Sequence, residues 1–135
     1  MTVALKNDEG RGLMRFLITG VASAAAAGIG SIANPEGVRL GILRSFVYYR
    51  TGSTGAANLS VGITTAAASA TDVLNAQDVI NATVGGKLMH EGAVQVAKTE
   101  NPTAIWTSGT YLTFTGSATT VGLDADLYLE TVRLA

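Results

Sequence analysis

The chain has 135 residues, a formal net charge of -1 and no cysteine, and 47% of its residues are hydrophobic while only 14% are charged. That length suits one domain with a real hydrophobic core, and the lack of cysteine excludes disulfides and thiol-bound metals. The nine basic residues are scattered along the sequence, so no basic cluster indicates a nucleic-acid surface and no basic amphipathic stretch indicates a membrane surface. We therefore expect neither nucleic acid nor a membrane as a partner.

Residues 1–12 are predicted to form an N-terminal arm, followed by a single β-sandwich domain at residues 13–135. The arm begins with a short apolar patch in which Val3 and Leu5 alternate with smaller residues. A segment of this kind either is a frayed terminus or adds a strand to a neighbouring subunit. On the second interpretation Val3 and Leu5 are candidate partner contacts, with attachment to a larger assembly as their role.

The next part of the chain is long, uncharged and rich in alanine. A first strand is predicted at residues 13–21, a loop or edge segment at 22–33, and a turn at 34–37, where Asn-Pro-Glu-Gly suits type I geometry. Residues 16–35 carry no charge, which approaches the length of a membrane span. Because polar residues and glycines interrupt this run, we do not interpret it as a span.

Two runs rich in β-branched and aromatic residues, 38–51 and 58–64, flank a cluster of Gly, Ser and Thr. This pattern predicts two antiparallel strands joined by a tight connection. The second run alternates cleanly, but the first loses its alternation near Arg44 and Ser45. Either the first strand is apolar on both faces, or a bulge shifts its phase.

The rest of the chain predicts further short strands. Residues 72–81 fit a short helix or two short strands equally well, and strands are predicted at 87–90, 93–98 and 110–116. The last strand, 123–134, is expected to lie inside a sheet. With about eight strands and no long amphipathic helix, the sequence predicts an all-β fold, an antiparallel β-sandwich of jelly-roll-like architecture.

The sequence offers no convincing catalytic or metal-binding group. His90 beside Glu91 lacks the nucleophile pattern of a triad. Asp124, Asp126 and Glu130 share one face of the last strand, where they could bind Ca²⁺ or simply be charges on the solvent face of an edge strand. A cupin-like metalloenzyme would need several histidines, and the chain has one. We expect no enzymatic activity, no catalytic residue, no cofactor and no metal.

Three large amphipathic side chains are the remaining candidate contacts: Tyr48, Tyr49 and Trp106. Adjacent residues of a strand point to opposite faces, so Tyr48 and Tyr49 cannot both lie in a core. The one that faces outward could contact a partner, a sugar or a neighbouring strand. Ordinary half-buried tyrosines would give the same pattern.

Three stretches carry a family resemblance: GVRLGILRSFVYYRTGSTGAANLSVGIT, ATDVLNAQDV and AIWTSGTYLTFTGSATTVGLDADLYLETVRL. They resemble the small β-sandwich virion proteins of tailed bacteriophages, in which a Thr-Gly-x-x-Gly-Ala turn precedes an alternating strand. A Trp-x-x-Gly-x-Tyr-Leu-Thr strand pair follows near the end of such chains. The resemblance covers residues 37–134.

This resemblance implies a capsid decoration, or cement, protein. Such a protein would sit on the outer surface of the capsid as a homo-oligomer, such as a trimer, and would bind the major capsid protein and brace the shell against internal DNA pressure. The alternative is a tail, fibre or head-spike module that binds a host receptor or a glycan, with Tyr48 or Tyr49 and Trp106 as its platform.

Overall fold

Nine β-strands and no helix make up residues 11–80, 87–92 and 104–134, the part of the chain that the computed structural model describes. The all-β class predicted from the sequence is confirmed. The strands, in chain order, are β1 (Arg11–Thr19), β2 (Gly30–Ala33), β3 (Arg39–Thr51), β4 (Asn58–Thr64), β5 (Leu74–Asp78), β6 (Lys87–Gly92), β7 (Ala104–Trp106), β8 (Tyr111–Gly116) and β9 (Asp124–Leu134).

The strands form two antiparallel sheets. A five-stranded sheet has the order β1-β9-β3-β6, with the short β7 also paired to β3, and a four-stranded sheet has the order β2-β8-β4-β5. If β7 is left out and the other eight strands are numbered in sequence, the two orders become 1-8-3-6 and 2-7-4-5, which are those of a jelly roll. The predicted jelly-roll-like sandwich is therefore confirmed.

The predicted pairing of the strands at 38–51 and 58–64 is wrong. β3 and β4 lie in different sheets, and the connection between them crosses from one layer to the other. Its amides are satisfied by distant segments, because Ser53 N donates to Val79 O at 3.1 Å and Thr54 N donates to Val121 O at 2.9 Å. Both strands bury one apolar face, and they do so across the core from each other instead of side by side.

A bulge at Leu43 explains the broken alternation of β3. The register of β3 against β9 shifts between Ile42 and Arg44. Before the bulge, Leu40 and Ile42 point into the core, and after it Val47 and the other residues of its parity do so. Of the two interpretations that the sequence left open, the bulge with its change of phase is confirmed.

The core lies between the two sheets and is centred on aromatic side chains. Phe16 of β1 contacts both Trp106, at 6.4 Å between ring centroids, and Phe114 of β8, at 6.1 Å. Trp106 is fully buried, and its Nε1 donates to Thr110 O at 3.1 Å. The other large buried side chains come from both layers: Ile18, Leu40, Ile42, Val47, Tyr49, Leu127 and Leu129 from the five-stranded sheet, and Leu59, Val61, Leu74 and Leu112 from the four-stranded one.

The remaining sequence predictions have mixed outcomes. The first strand begins and ends two residues earlier than predicted, and the ambiguous residues 72–81 contain the strand β5 and no helix. The turn at 34–37 is present, since Asn34 Oδ1 accepts hydrogen bonds from the amides of Glu36 and Gly37. The strand predicted at 93–98 lies outside the described residues. The described residues include no helical segment that could span a membrane.

Candidate functional site

The outer surface of the five-stranded sheet carries a mixture of large apolar and charged side chains. Outward-pointing residues are recognised by their register, because they alternate with residues that point into the core. We call this surface the five-stranded face, and it consists of Leu13, Arg15 and Leu17 of β1, Arg44, Phe46, Tyr48 and Arg50 of β3, and Asp124, Asp126, Tyr128 and Glu130 of β9.

The apolar part of the five-stranded face is unusually open. Leu13 and Leu17 are 66% and 64% exposed, more than any other large hydrophobic residue in the described part of the chain. Phe46 and Tyr128 stack on neighbouring strands, with 4.9 Å between ring centroids and an interplanar angle of 17°. Tyr48 is 38% exposed beside them. Aromatic side chains are enriched in protein interfaces, and the buried centre of an interface is more apolar than the rest of the surface.

A cluster of ion pairs lies at one end of the same face. Arg50 Nε and Nη2 donate to the two carboxylate oxygens of Asp124 at 3.0 and 2.6 Å, and Arg50 Nη1 donates to Asp126 Oδ2 at 2.6 Å. Arg15 Nη2 lies 3.2 Å from the same oxygen of Asp126, whose side chain is only 3% exposed. The cluster therefore ties β3 and β1 to β9, the strand between them.

The cluster keeps its carboxylates charged. Hydrogen bonds from Arg50 hold the pKa values of Asp124 and Asp126 below the ordinary carboxyl value, and Arg15 lowers that of Asp126 further. The same hydrogen bonds raise the pKa of Arg50. These charges are structural partners of one another. Asp124 and Asp126 do lie on the outer face of the sheet, but the expectation that their strand is an edge strand is wrong. β9 is an interior strand, flanked by β1 and β3.

A shallow groove lies at the opposite end of the face. It has a volume of about 380 Å³ and is lined by Gly12, Leu13, Arg44, Phe46 and Glu130. Arg44 Nη2 lies 3.1 Å from Glu130 Oε1, so the charged wall of the groove is itself an ion pair. The groove is therefore lined by the apolar side chains of Leu13 and Phe46 and by the Arg44–Glu130 ion pair.

The charges of the five-stranded face balance one another. Among the residues by which the face is defined above, three are arginines and three are carboxylates, and each of the six has an opposite charge within 3.2 Å. Covering a charge that is already paired costs less desolvation than covering an isolated one. These six charges can therefore be buried against another surface without any of them losing its partner.

The outer surface of the four-stranded sheet is built differently. None of its four strands contains Arg or Lys, whereas all six arginines of the chain lie in β1, β3 and β9. The chain's own loops pack on this surface: Ala27 N donates to Thr115 Oγ1 at 2.8 Å, and a Cβ on Gly62 would lie 2.4 Å from the backbone of Ala70. Thr113 beneath them is fully buried. One sheet is thus covered by its own connections, while no described residue covers the other.

The structure separates the residues predicted from the sequence as partner contacts. Tyr48 lies on the five-stranded face, while Tyr49 and Trp106 are fully buried in the core. Tyr49 and Trp106 are therefore not accessible to a partner. The bulge in β3 directs Tyr49 into the core, and Trp106 of β7 packs against Phe16. Val3 and Leu5 lie outside the described residues.

The other candidates for chemistry do not assemble into a site. Within the described residues, no group of three or more His, Asp or Glu side chains is placed to hold a metal ion. His90 lies on β6, where it is paired in register with Phe46 of β3. Among the described strands β6 is the last of its sheet, which agrees with the expectation of a histidine on an edge strand. The carboxylates of β9 are held by arginines, as described above.

Sequence reasoning missed most of the five-stranded face. The sequence does show that Arg44 and Phe46 lie on one face of β3, because they are two residues apart. It shows the same for Asp126 and Tyr128 of β9. The sequence does not show that these two strands are neighbours, because the 72 residues 52–123 lie between the end of β3 and the start of β9. Without that pairing, the stacked rings and the shared ion pairs cannot be inferred.

No protein-family model and no curated protein matches the sequence. Among solved structures, the capsid of Ralstonia phage GP4 matches with a TM-score of 0.57 at 14% sequence identity. The match covers 93% of this chain and 85% of that chain, so it extends over nearly the whole of both. At this identity the likeness shows a common fold. The jelly roll of this protein is therefore one that is also found in a phage capsid.

Proposed function

We propose that the protein is a structural component of a bacteriophage virion, which decorates the outer surface of the capsid as an oligomer and stabilises the shell. Its partners would be the major capsid protein and further copies of itself, with a trimer as the expected assembly. The fold shared with a phage capsid structure supports the virion role. The resemblance of residues 37–134 to small phage virion proteins supports the decoration role.

The observation that carries the proposal is the contrast between the two outer faces. The five-stranded face exposes Leu13, Leu17 and Tyr48, and its charges are neutralised in pairs. The strands of the other sheet contain no Arg or Lys, and its outer face is packed under its own loops. A protein that attaches to a shell needs one interaction surface and one surface that can face solvent. The two outer faces of this sandwich would serve as those two surfaces.

Attachment would draw on burial of apolar area, at about 25 cal/mol for each Å² before the costs of association. Because a capsid repeats the same binding site many times, an oligomer contacts several sites at once and gains avidity. A sandwich held by an aromatic core and by ion pairs between strands can transmit load between neighbouring capsid subunits. In this mechanism the protein performs no chemical reaction.

Binding to undecorated heads tests this function. Leu17 and Ile32 are both exposed aliphatic residues on edge strands, at 64% and 39% exposure, but they lie on different sheets. We expect wild-type protein to co-sediment with heads at a fixed stoichiometry, and Leu17→Ser to weaken binding about tenfold or more, which is about 1.4 kcal/mol per site. Ile32→Ser, the matched control, should bind as the wild type does.

Equal binding by both variants would refute the five-stranded face as the attachment surface. A protein that ignores heads but binds host cells or glycans would instead be the receptor-binding module of a tail, fibre or head spike. No structural observation favours that function, because Tyr49 and Trp106 of its proposed platform are buried in the core.

A further inference from the structure

The edge of the five-stranded sheet at β1 is long and regular. The nine residues of β1 pair with β9 without a register shift, and no other described strand pairs with the second side of β1. The other edges formed by described strands are less regular: one is divided between β6 and the short β7, one is the four-residue β2, and one is β5, whose register with β4 is irregular. A straight edge without proline or a bulge can pair with one more strand.

The apolar side chains of β1 are arranged symmetrically about Arg15. Leu13 and Leu17 lie two residues before and after it, on the five-stranded face, and they are the most exposed large hydrophobic residues of the described part of the chain. Met14 and Phe16 are its immediate neighbours, pack against the core and are only partly buried. A second copy of this strand, running in the opposite direction, would therefore place apolar residues opposite apolar residues on both faces of the sheet.

We propose that two copies of the protein pair through β1, antiparallel and about a two-fold axis at Arg15. Of all two-fold registers, the one centred on Arg15 is the only one that pairs every residue of β1. It places Leu13 opposite Leu17 of the second copy and Met14 opposite Phe16 of the second copy, and symmetry repeats each pair. Directly opposite apolar side chains stabilise an antiparallel pair, and a methionine sulfur beside an aromatic ring adds a favourable contact.

The charges near the axis are compatible with this pairing. Arg15 would face Arg15 of the second copy, and like charges directly opposite each other destabilise a sheet. However, Arg15 Nη2 lies 3.2 Å from Asp126 Oδ2, and Asp126 belongs to β9, on the side of β1 away from the proposed contact. Each guanidinium is therefore directed away from the axis and already has a carboxylate as its partner.

A second copy is the partner that this edge fits, because the pairing is self-complementary. An isologous contact closes after two copies, so it also removes the open edge at β1. Opposite residues share a face, so the five-stranded faces of both copies would join into one surface. The consequence for attachment rests on the proposed function: each dimer would have two capsid-binding faces on one side and gain avidity. The contacts of the expected trimer would lie on other surfaces.

Single-cysteine variants test the pairing and its register, because the chain has no cysteine of its own. Leu13→Cys and Leu17→Cys chains are co-expressed, and the purified protein is treated with a short bifunctional thiol reagent. We expect linked dimers with one chain of each variant, since opposite Cβ atoms lie about 5 Å apart. Each variant expressed alone should keep its thiol free, because residue 13 does not face itself.

Ile32→Cys is the matched control, because it places an exposed thiol on the edge of the other sheet. Co-expressed with Leu17→Cys, it should give no linked product. Light scattering on the wild-type protein is the second measurement, and it should give a mass of two chains or of an even multiple of two.

Three outcomes would overturn the inference. A wild-type protein that is a monomer or a trimer at every concentration has no two-fold contact of this kind. Linked dimers from either variant alone would show a different register, and no linked product from the co-expressed pair would show that β1 does not pair with a second copy. The assay needs no capsid, so its failure leaves binding to heads to be judged separately, and a failure to bind heads leaves the dimer to be judged by its own crosslink.

Discussion

Arg50 is the side chain on which the charged part of the five-stranded face depends. It bridges Asp124 and Asp126 through its three guanidinium nitrogens, and the side chain of Asp126 is almost completely enclosed. A carboxylate that is withdrawn from water needs charged partners, since leaving it alone carries a large desolvation penalty. The cluster therefore predicts a stability that changes with pH in a defined direction.

The Arg50→Met variant should be less stable than the wild type at about pH 7, and the difference should shrink toward pH 3. Hydrogen bonds from Arg50 lower the pKa values of Asp124 and Asp126 in the folded state, while the unfolded value is about 3.9. The cluster thus stabilises the fold above about pH 4, and this contribution is lost as the pH falls through the lower folded values. Urea unfolding at both pH values measures the difference.

A matched control comes from Arg133, whose Nη2 lies 2.6 Å from Glu36 Oε1 in an exposed pair. Arg133→Met should change the free energy of unfolding by less than about 1 kcal/mol, as is usual for surface pairs. If the Arg50→Met difference is the same at both pH values, or is no larger than that of the control, the cluster does not have the stabilising role given to it here.

The connections between strands are the elements that decide which face of the sandwich is open. Residues 65–72 pack on the four-stranded sheet so closely that Gly62 has no room for a side chain. A Cβ there would lie 2.4 Å from both the backbone of Ala70 and Oδ1 of Asp72, and that oxygen accepts a hydrogen bond from Ile63 N at 2.9 Å. The covering loop is thus fixed by a close approach and by a hydrogen bond.

Gly62→Ala should destabilise the protein by about 1–3 kcal/mol, the usual cost of inserting a methyl group into a packed site. Gly55→Ala is the control, because a Cβ at Gly55 meets nothing within 4 Å, and its effect should stay within about 0.5 kcal/mol. Thermal unfolding measures both variants. Equal stabilities would mean that the loop can move aside freely, which contradicts a face permanently covered by its own connections.

At this scale the sequence was informative about strands but not about their neighbours. Alternation located β4 and β8 and showed that Tyr48 and Tyr49 must face opposite ways, because that information is local. The proposed hairpin of β3 with β4 failed because a short Gly/Ser/Thr-rich connection serves equally well between sheets. For the same reason Trp106 was a poor candidate contact: its burial depends on Phe16, which is distant in sequence.

The whole molecule is a two-sided sandwich, and its asymmetry is the basis of the proposed function. Arginines and the most exposed leucines lie on one sheet, while the strands of the other contain no Arg or Lys and are partly covered by their own loops. Together the two sheets define an orientation in which the protein would lie on a larger surface.

A cryo-electron microscopy reconstruction of phage heads incubated with the purified protein measures that orientation directly. We expect jelly-roll density in repeated positions on the outer shell, with Leu13, Leu17 and Tyr48 buried against capsid subunits and the four-stranded sheet facing solvent. Density with the five-stranded face turned outward, or heads that remain bare at saturating protein, would contradict the account.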